Sequence, residues 1–176
     1  MSEHHHLRFW TEALNLRDFH VVHQRRDTPA DPLRLTVAPN LTVALCPHCG
    51  KPTDTIHRTH DSHPVKDLPL GPQPVDLIVR THQYHCLFCD AYFTPHYPAV
   101  ADGAHATERF LQQAAKLIRF SDVANAAAFF GVPEKTLEHW YYDYIQRQTQ
   151  TPAPSLKPIE SLGIDELSLK KSIVSS

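Results

Sequence analysis

Cysteine is scarce in this chain, and the four that occur all fall in two pairs, Cys46-Pro-His-Cys49 and Cys86-Leu-Phe-Cys89. An excess of charge of either sign is missing too: 17 Lys and Arg stand against 19 Asp and Glu, for a net charge of −2. Such a balance provides no strongly basic face of the kind that draws nucleic acid through phosphate attraction. No apolar run approaches the ~20 residues that a membrane-spanning helix requires, so no membrane partner is expected. The start, Met1 to Arg8, is polar and His-rich, without the apolar stretch of a secretory signal. A reducing, cytoplasmic setting is therefore expected, and it disfavours structural disulfides. Proline, by contrast, is plentiful at fifteen residues, which points to many loops and short elements rather than one large regular core.

The spacing within each pair lets both sulfurs turn toward a single ion, and four thiolates make the closed tetrahedron of structural zinc. Cys46, Cys49, Cys86 and Cys89 are thus the expected zinc ligands, tying two distant segments together. Two redox-active pairs and two structural disulfides are the alternatives. The first lacks a surrounding strand–helix–strand frame of the thioredoxin kind. The second lacks any sign of export. The stretch from Gly50 to His85 between the pairs is longer than in a usual ribbon. His48, and after it His57, His60, His63 and His85, could add donors, but four sulfurs already fill a four-coordinate site. No ligand set with an open position suggests a catalytic metal. Thirteen of the fourteen histidines precede Ala106, so this part gains positive charge below about pH 6.5.

The pattern of residues predicts an α+β fold. A short helix is expected over Phe9–Leu16, with Leu7, Trp10, Ala13 and Leu14 on its inner side. Strands are expected over Phe19–Gln24, Leu33–Val37 and Leu41–Leu45, the last leading into the first pair. Val75, Leu77 and Val79 alternate with Asp76, Ile78 and Arg80, the period of a half-buried strand; it runs to Tyr84 and delivers Cys86. Tyr92–Thr94 reads as its return strand. Between Ala104 and Gln148 only one glycine and one proline occur, and three helices are expected: Glu108–Phe120, a second capped by Ser121 or Asp122 and running to Phe130, and Glu134–Gln148. Residues 1–103 thus form a zinc-ribbon-like α+β module and residues 104–150 a helical domain. Residues 151–176 form a proline-rich linker followed by an apolar, strand-like run over Leu162–Leu169.

Asp122 to Tyr142 has the makings of a helix-turn-helix. Ala126 and Ala127 are small where the helices would cross, Gly131 sits in the turn, and Phe130, Val132, Leu137 and Trp140 supply a seam. In DNA-binding versions the second helix enters the major groove. The residues facing the bases would then be Glu134, Lys135, Glu138, His139 and Tyr142. An ordinary corner between two helices is the alternative, and the two acids on that face favour it. Asp165 follows Leu162-Gly163-Ile164 and is either the polar end of a strand or the first carboxylate of a two-metal phosphoryl-transfer site. Such a site needs several converging acids, yet no Asp or Glu follows Glu166.

Together these motifs resemble the front half of an insertion-sequence transposase of the ISL-three family. The matching features, in order, are Cys46-Pro-His-Cys49-Gly50, Val65-Lys66-Asp67-Leu68-Pro69, the alternating strand, His85-Cys86-Leu87-Phe88-Cys89 with Tyr92-Phe93-Thr94, the helix-turn-helix, and Leu162-Gly163-Ile164-Asp165-Glu166. The resemblance implies structural zinc and recognition of terminal inverted repeats in double-stranded DNA. It also implies an RNase H-like domain whose Asp-Asp-Glu triad uses Mg2+ in a full-length parent enzyme, with Asp165 matching its first acid. The family continues with basic and aromatic residues where this chain reads Ser172-Ile173-Val174-Ser175-Ser176. The expectation is therefore a truncated, non-catalytic, DNA-binding piece of a transposase. A protein-interaction module that pairs with full-length transposase, or with itself, is the second expectation. A small metal-dependent hydrolase is the third.

Overall fold

The structure, a computed structural model, describes residues 3–101 and 105–150. The expected strand over Leu162–Leu169, its Asp165 and most of the preceding linker lie outside the described residues. The chain begins with α1 (Glu3–Leu14), which starts earlier than its apolar spacing suggests. It ends where Asn15 turns left-handed at φ 48°, a conformation that asparagine tolerates better than most residues. Leu14 is buried, and Leu7 and Trp10 pack beside it, whereas Ala13 faces solvent.

The sheet is organised around one long strand. In chain order the strands are β1 (Phe19–Arg25), β2 (Leu33–Pro39), β3 (Ala44–Leu45), β4 (Pro52–Thr53), β5 (Ile56–Asp61), β6 (Val65–Leu70), β7 (Gln73–Cys86) and β8 (Ala91–Phe93). The fourteen residues of β7 serve two neighbourhoods. Its first half lies between β2, parallel through Leu33↔Val75 to Val37↔Val79, and β6, antiparallel. Its second half lies between β5, through Ile56↔Tyr84 to Asp61↔Arg80, and β8, through Tyr84↔Phe93 to Cys86↔Ala91. The first half buries Val75, Leu77 and Val79 with Leu33, Leu35, Val37, Phe19 and Val21 beneath α1. The second half ends at the cysteines, where Tyr84 and Phe93 make a small separate cluster with Cys46 and Cys86.

Two strand expectations need correction. Leu41–Leu45 is extended only at Ala44–Leu45, because Leu41 and Val43 project into solvent and find no partner strand among the described residues. Asp76, expected on an open face, is 5% exposed, with the Lys66 ammonium 2.8 Å from its carboxylate. Besides the expected strand ending at Cys86, the stretch between the cysteine pairs holds β4, β5 and β6.

The helices are α2 (Glu108–Phe120), α3 (Val123–Phe130) and α4 (Glu134–Gln150). Thr107 and Asp122 accept from the N–H groups of Phe110 and Asn125 as N-caps of α2 and α3, each satisfying a donor that a helix start leaves open. Gly131 closes α3 at φ 62°, the left-handed cap for which glycine carries no side-chain penalty. Phe110, Leu111, Ala114, Ala126, Ala127, Val132, Leu137 and Trp140 form the shared core of the three.

A buried ion pair fastens this cluster to the sheet. Asp67 on β6, 3% exposed, accepts from Thr107 Oγ1 at 2.7 Å and Arg109 Nε at 2.7 Å. The Arg109 guanidinium is a second time engaged with Asp67 Oδ2, and it also donates to the Leu14 carbonyl at the end of α1. Backbone bonds between Lys66 and both His105 and Thr107 run alongside.

Candidate metal centre

Cys46 follows β3 and Cys86 ends β7, so both sit at strand ends, and they are 2% and 0% exposed. Cys49 and Cys89 lie three residues on, at the exposed side of their turns. The two turns are built alike. The Gly50 N–H donates to the Cys46 carbonyl and the Asp90 N–H to the Cys86 carbonyl, each at 2.8 Å. The residue after each second cysteine is left-handed, Gly50 at φ 71° and Asp90 at φ 57°. Asp90 reaches this conformation with a side chain, which accepts from His85 Nε2 at 2.7 Å. His85 in turn stacks on Tyr92, with ring centres 4.4 Å apart.

The four sulfurs lie within 4.8 Å of one another. Cys46 Sγ is 3.6 Å from Cys89 Sγ, and Cys49 Sγ is 3.6 Å from Cys86 Sγ. Bonds of ~2.3 Å from a tetrahedral zinc imply sulfur–sulfur edges of about 3.8 Å, close to these spacings. Disulfides would need about 2.05 Å, and all four cysteines are free. Both of these approaches join one pair to the other, which suits an ion shared by both pairs. The donor set therefore fits zinc, with Cys46, Cys49, Cys86 and Cys89 as the residues able to hold it.

The thiols are electrostatically unequal. Desolvation acts to raise Cys86, but the Phe88 and Cys89 N–H groups and the Cys49 and Cys89 thiols outweigh it and bring it down to about 7. Cys89 is pushed up to about 12, first by desolvation and then by the thiols of Cys46 and Cys49. Cys49 is also raised: the Lys51 N–H lowers it, but desolvation and the Cys86 and Cys46 thiols prevail. Sulfurs this crowded cannot all carry charge unless a cation joins them. A bound zinc ion would supply that charge and cross-link the two turns.

Among the described residues no histidine joins this set. His48, His57, His60 and His63 are exposed, His57 lies edge-on to Tyr92, and His85 is committed to Asp90. The supporting role of Asp90 escaped the sequence reading. Its signal is the parallel between Cys46-x-x-Cys49-Gly50 and Cys86-x-x-Cys89-Asp90, which puts Asp90 where the other turn uses glycine.

Residues 42–89 match the family model for the zinc-finger of transposase IS204/IS1001/IS1096/IS1165. The chain carries an ISL-three-type transposase zinc ribbon. No curated protein and no solved structure matches. The matched segment begins just before β3, ends at Cys89, and includes β4 to β7. The long connection that looked unusual for a ribbon is thus part of the ISL-three-type module itself.

The five candidate DNA-contacting residues come together on α4. Glu134, Lys135, Glu138, His139 and Tyr142 are all exposed, while Leu137 and Trp140 turn into the helical core. His139 lies 3.3 Å from Asp143, one turn on. Asp165 lies outside the described residues. No described helix is long and apolar enough to cross a membrane.

Proposed function

We propose that this chain is the DNA-recognising part of an ISL-three-type transposase and binds the terminal inverted repeats of its element as double-stranded DNA. The convergence of four sulfurs inside a segment matching a transposase zinc finger supports this reading above all else. In it, structural zinc fixes the ribbon of a module spanning residues 1–103. Residues 104–150 form a helix-turn-helix whose α4 presents Lys135, His139 and Tyr142 to base edges and phosphates, with Glu134 and Glu138 placed to accept from exposed cytosine amino groups. Cutting and joining of DNA, with Mg2+ and Asp165, belongs to the complete catalytic domain of a parent enzyme rather than to the residues described.

The balanced charge makes a specific demand. Few phosphates can be neutralised, so affinity should fall only shallowly with salt. Gel-shift titration of zinc-loaded protein against inverted-repeat ends and unrelated duplexes tests the reading. The expected result is at least a tenfold preference for the ends, abolished by chelation and restored by zinc. Equal affinity for all duplexes would remove it. Copurification with a full-length transposase in the absence of DNA would instead favour an interaction module.

A further inference from the structure

The tips of the two cysteine turns present a feature that zinc binding does not require. Leu87 and Phe88, the two residues between Cys86 and Cys89, are each 70% exposed. A metal site needs only the turn at these positions, and small polar residues would serve. Large apolar side chains held in water here gain nothing for the ribbon core, which consists of Tyr84, Phe93 and the buried cysteines on the other side. Lys51, just past the other turn, places its ammonium 6.0 Å from the centre of the Phe88 ring. No ion pair engages Lys51 among the described residues. Asp90, the acid nearest in sequence to Phe88, is taken up by His85. The tip is therefore an apolar pair with the Lys51 cation over one of its rings, mounted on a turn whose backbone is bonded to itself and whose flanking residues are the candidate metal ligands.

We propose that Leu87 and Phe88 form a wedge that inserts between stacked bases of duplex DNA while Lys51 contacts the adjoining phosphate. The proposal rests on the DNA-binding reading above and adds a second contact surface to α4. Apolar wedges of Leu and Phe are the side chains that unstack a base step and kink the helix axis by tens of degrees. The cost of unstacking demands a wedge that does not fold back under load, and cross-linking by zinc provides that stiffness. Lys51 supplies charge complementarity to DNA: its ammonium stands at the same tip as the apolar pair, on a flexible stem that can turn to a phosphate once Phe88 stacks against a base. A largely neutral protein can bind DNA in this manner, because stacking contributes what phosphate pairing does not.

The test uses the full chain loaded with zinc, with the double variant Leu87→Ala/Phe88→Ala and the single variant Lys51→Gln. Both sites are exposed, so zinc stoichiometry and thermal midpoint should match the parent. DNA carrying 2-aminopurine at successive positions reports unstacking by a rise in fluorescence, and circularly permuted fragments report bending. The parent should brighten one base step and bend the DNA. The double variant should lose both signals and bind about tenfold more weakly. Lys51→Gln should weaken binding and lower the salt slope by about one phosphate while leaving the brightened step in place. Parent protein that binds inverted repeats tightly with no fluorescence change, or a double variant that retains the signals, would overturn the wedge but leave DNA recognition standing. Parent protein that binds no DNA would overturn both. Conversion of a self-associating parent to a monomer by the double substitution, with DNA binding unaltered, would reassign the tip to a protein interface.

Discussion

At the scale of single residues, Asp67 connects more of the molecule than any of the cysteines. Its carboxylate is buried and takes hydrogen bonds from Thr107 and Arg109, while Arg109 also reaches the carbonyl of Leu14. Three elements, α1, β6 and α2, thus meet on one ion pair. Removing one member of a buried pair leaves the other charged and unpartnered, which costs more than the pair's own net contribution. Asp67→Ala should lower stability by about 3 kcal/mol, measured by urea denaturation of the zinc-loaded protein. A loss below about 1 kcal/mol would mean that water reaches Arg109 readily enough to replace the carboxylate. The exposed pair Arg80–Asp61 makes a contrast. Its hydrogen bond to Arg80 holds the Asp61 carboxyl below the usual range. The stabilisation is present at neutral pH, where the folded and unfolded states both carry the charge. It is lost as pH falls through the depressed folded value, and solvent screening keeps it small.

Among elements, the two ends of β7 differ in what holds them. Residues 75–79 lie in an apolar core beneath α1, whereas residues 84–86 depend on a cluster of two aromatic rings and two cysteines. Chelation should therefore act unevenly. In hydrogen exchange followed by mass spectrometry, the amides of β3, β4, β5 and β8 and the second half of β7 should lose protection on zinc removal. Those of β1, β2 and the first half of β7 should keep most of theirs. Uniform loss across the sheet would show that the metal supports the whole module. The same division explains what could be read in the residues beforehand. α2, α3 and α4 announce themselves through Asp122 and Gly131 at the ends of α3 and apolar residues every third or fourth place, while the Thr107 cap of α2 passed unread. The first half of β7 shows its alternation. β5 does not, because all six of its residues are exposed and its only described neighbour is β7, so no buried face imprints a period on it. β6 is obscured by Pro69 and by the buried Asp67, whose partner Arg109 lies 42 residues away. The two halves of the four-cysteine cluster were legible because the spacing within each pair is local. The Asp67 junction was not, since nothing near it in the chain hints at its partner.

For the molecule as a whole, the question is whether sheet and helices behave as one body. Backbone bonds from Lys66 to His105 and Thr107, together with the Asp67–Arg109 pair, join them. The only two tryptophans fall on opposite sides of that junction. Trp10, on α1, donates to Gln24 at 2.7 Å, and Trp140, on α4, is buried in the helical core. Each can thus report one side once the other is replaced by phenylalanine. Coincident urea midpoints for Trp10→Phe and Trp140→Phe, each compared with its own circular dichroism, are expected for a single cooperative unit. Midpoints separated by more than about 1 M would mean that residues 1–103 and 104–150 unfold independently.

The long central strand has an arithmetic consequence for how this protein can change over time. Side chains alternate sides along it, and Cys86 must face its three partner sulfurs. An insertion or deletion of a single codon between Val79 and Tyr84 would therefore point that sulfur away from the other three. A change of two codons would keep its side but carry it about 7 Å along the strand axis, out of bonding range. The exposed turn over residues 26–30, before β2, is freer to vary in length, whereas this stretch behaves as a ruler.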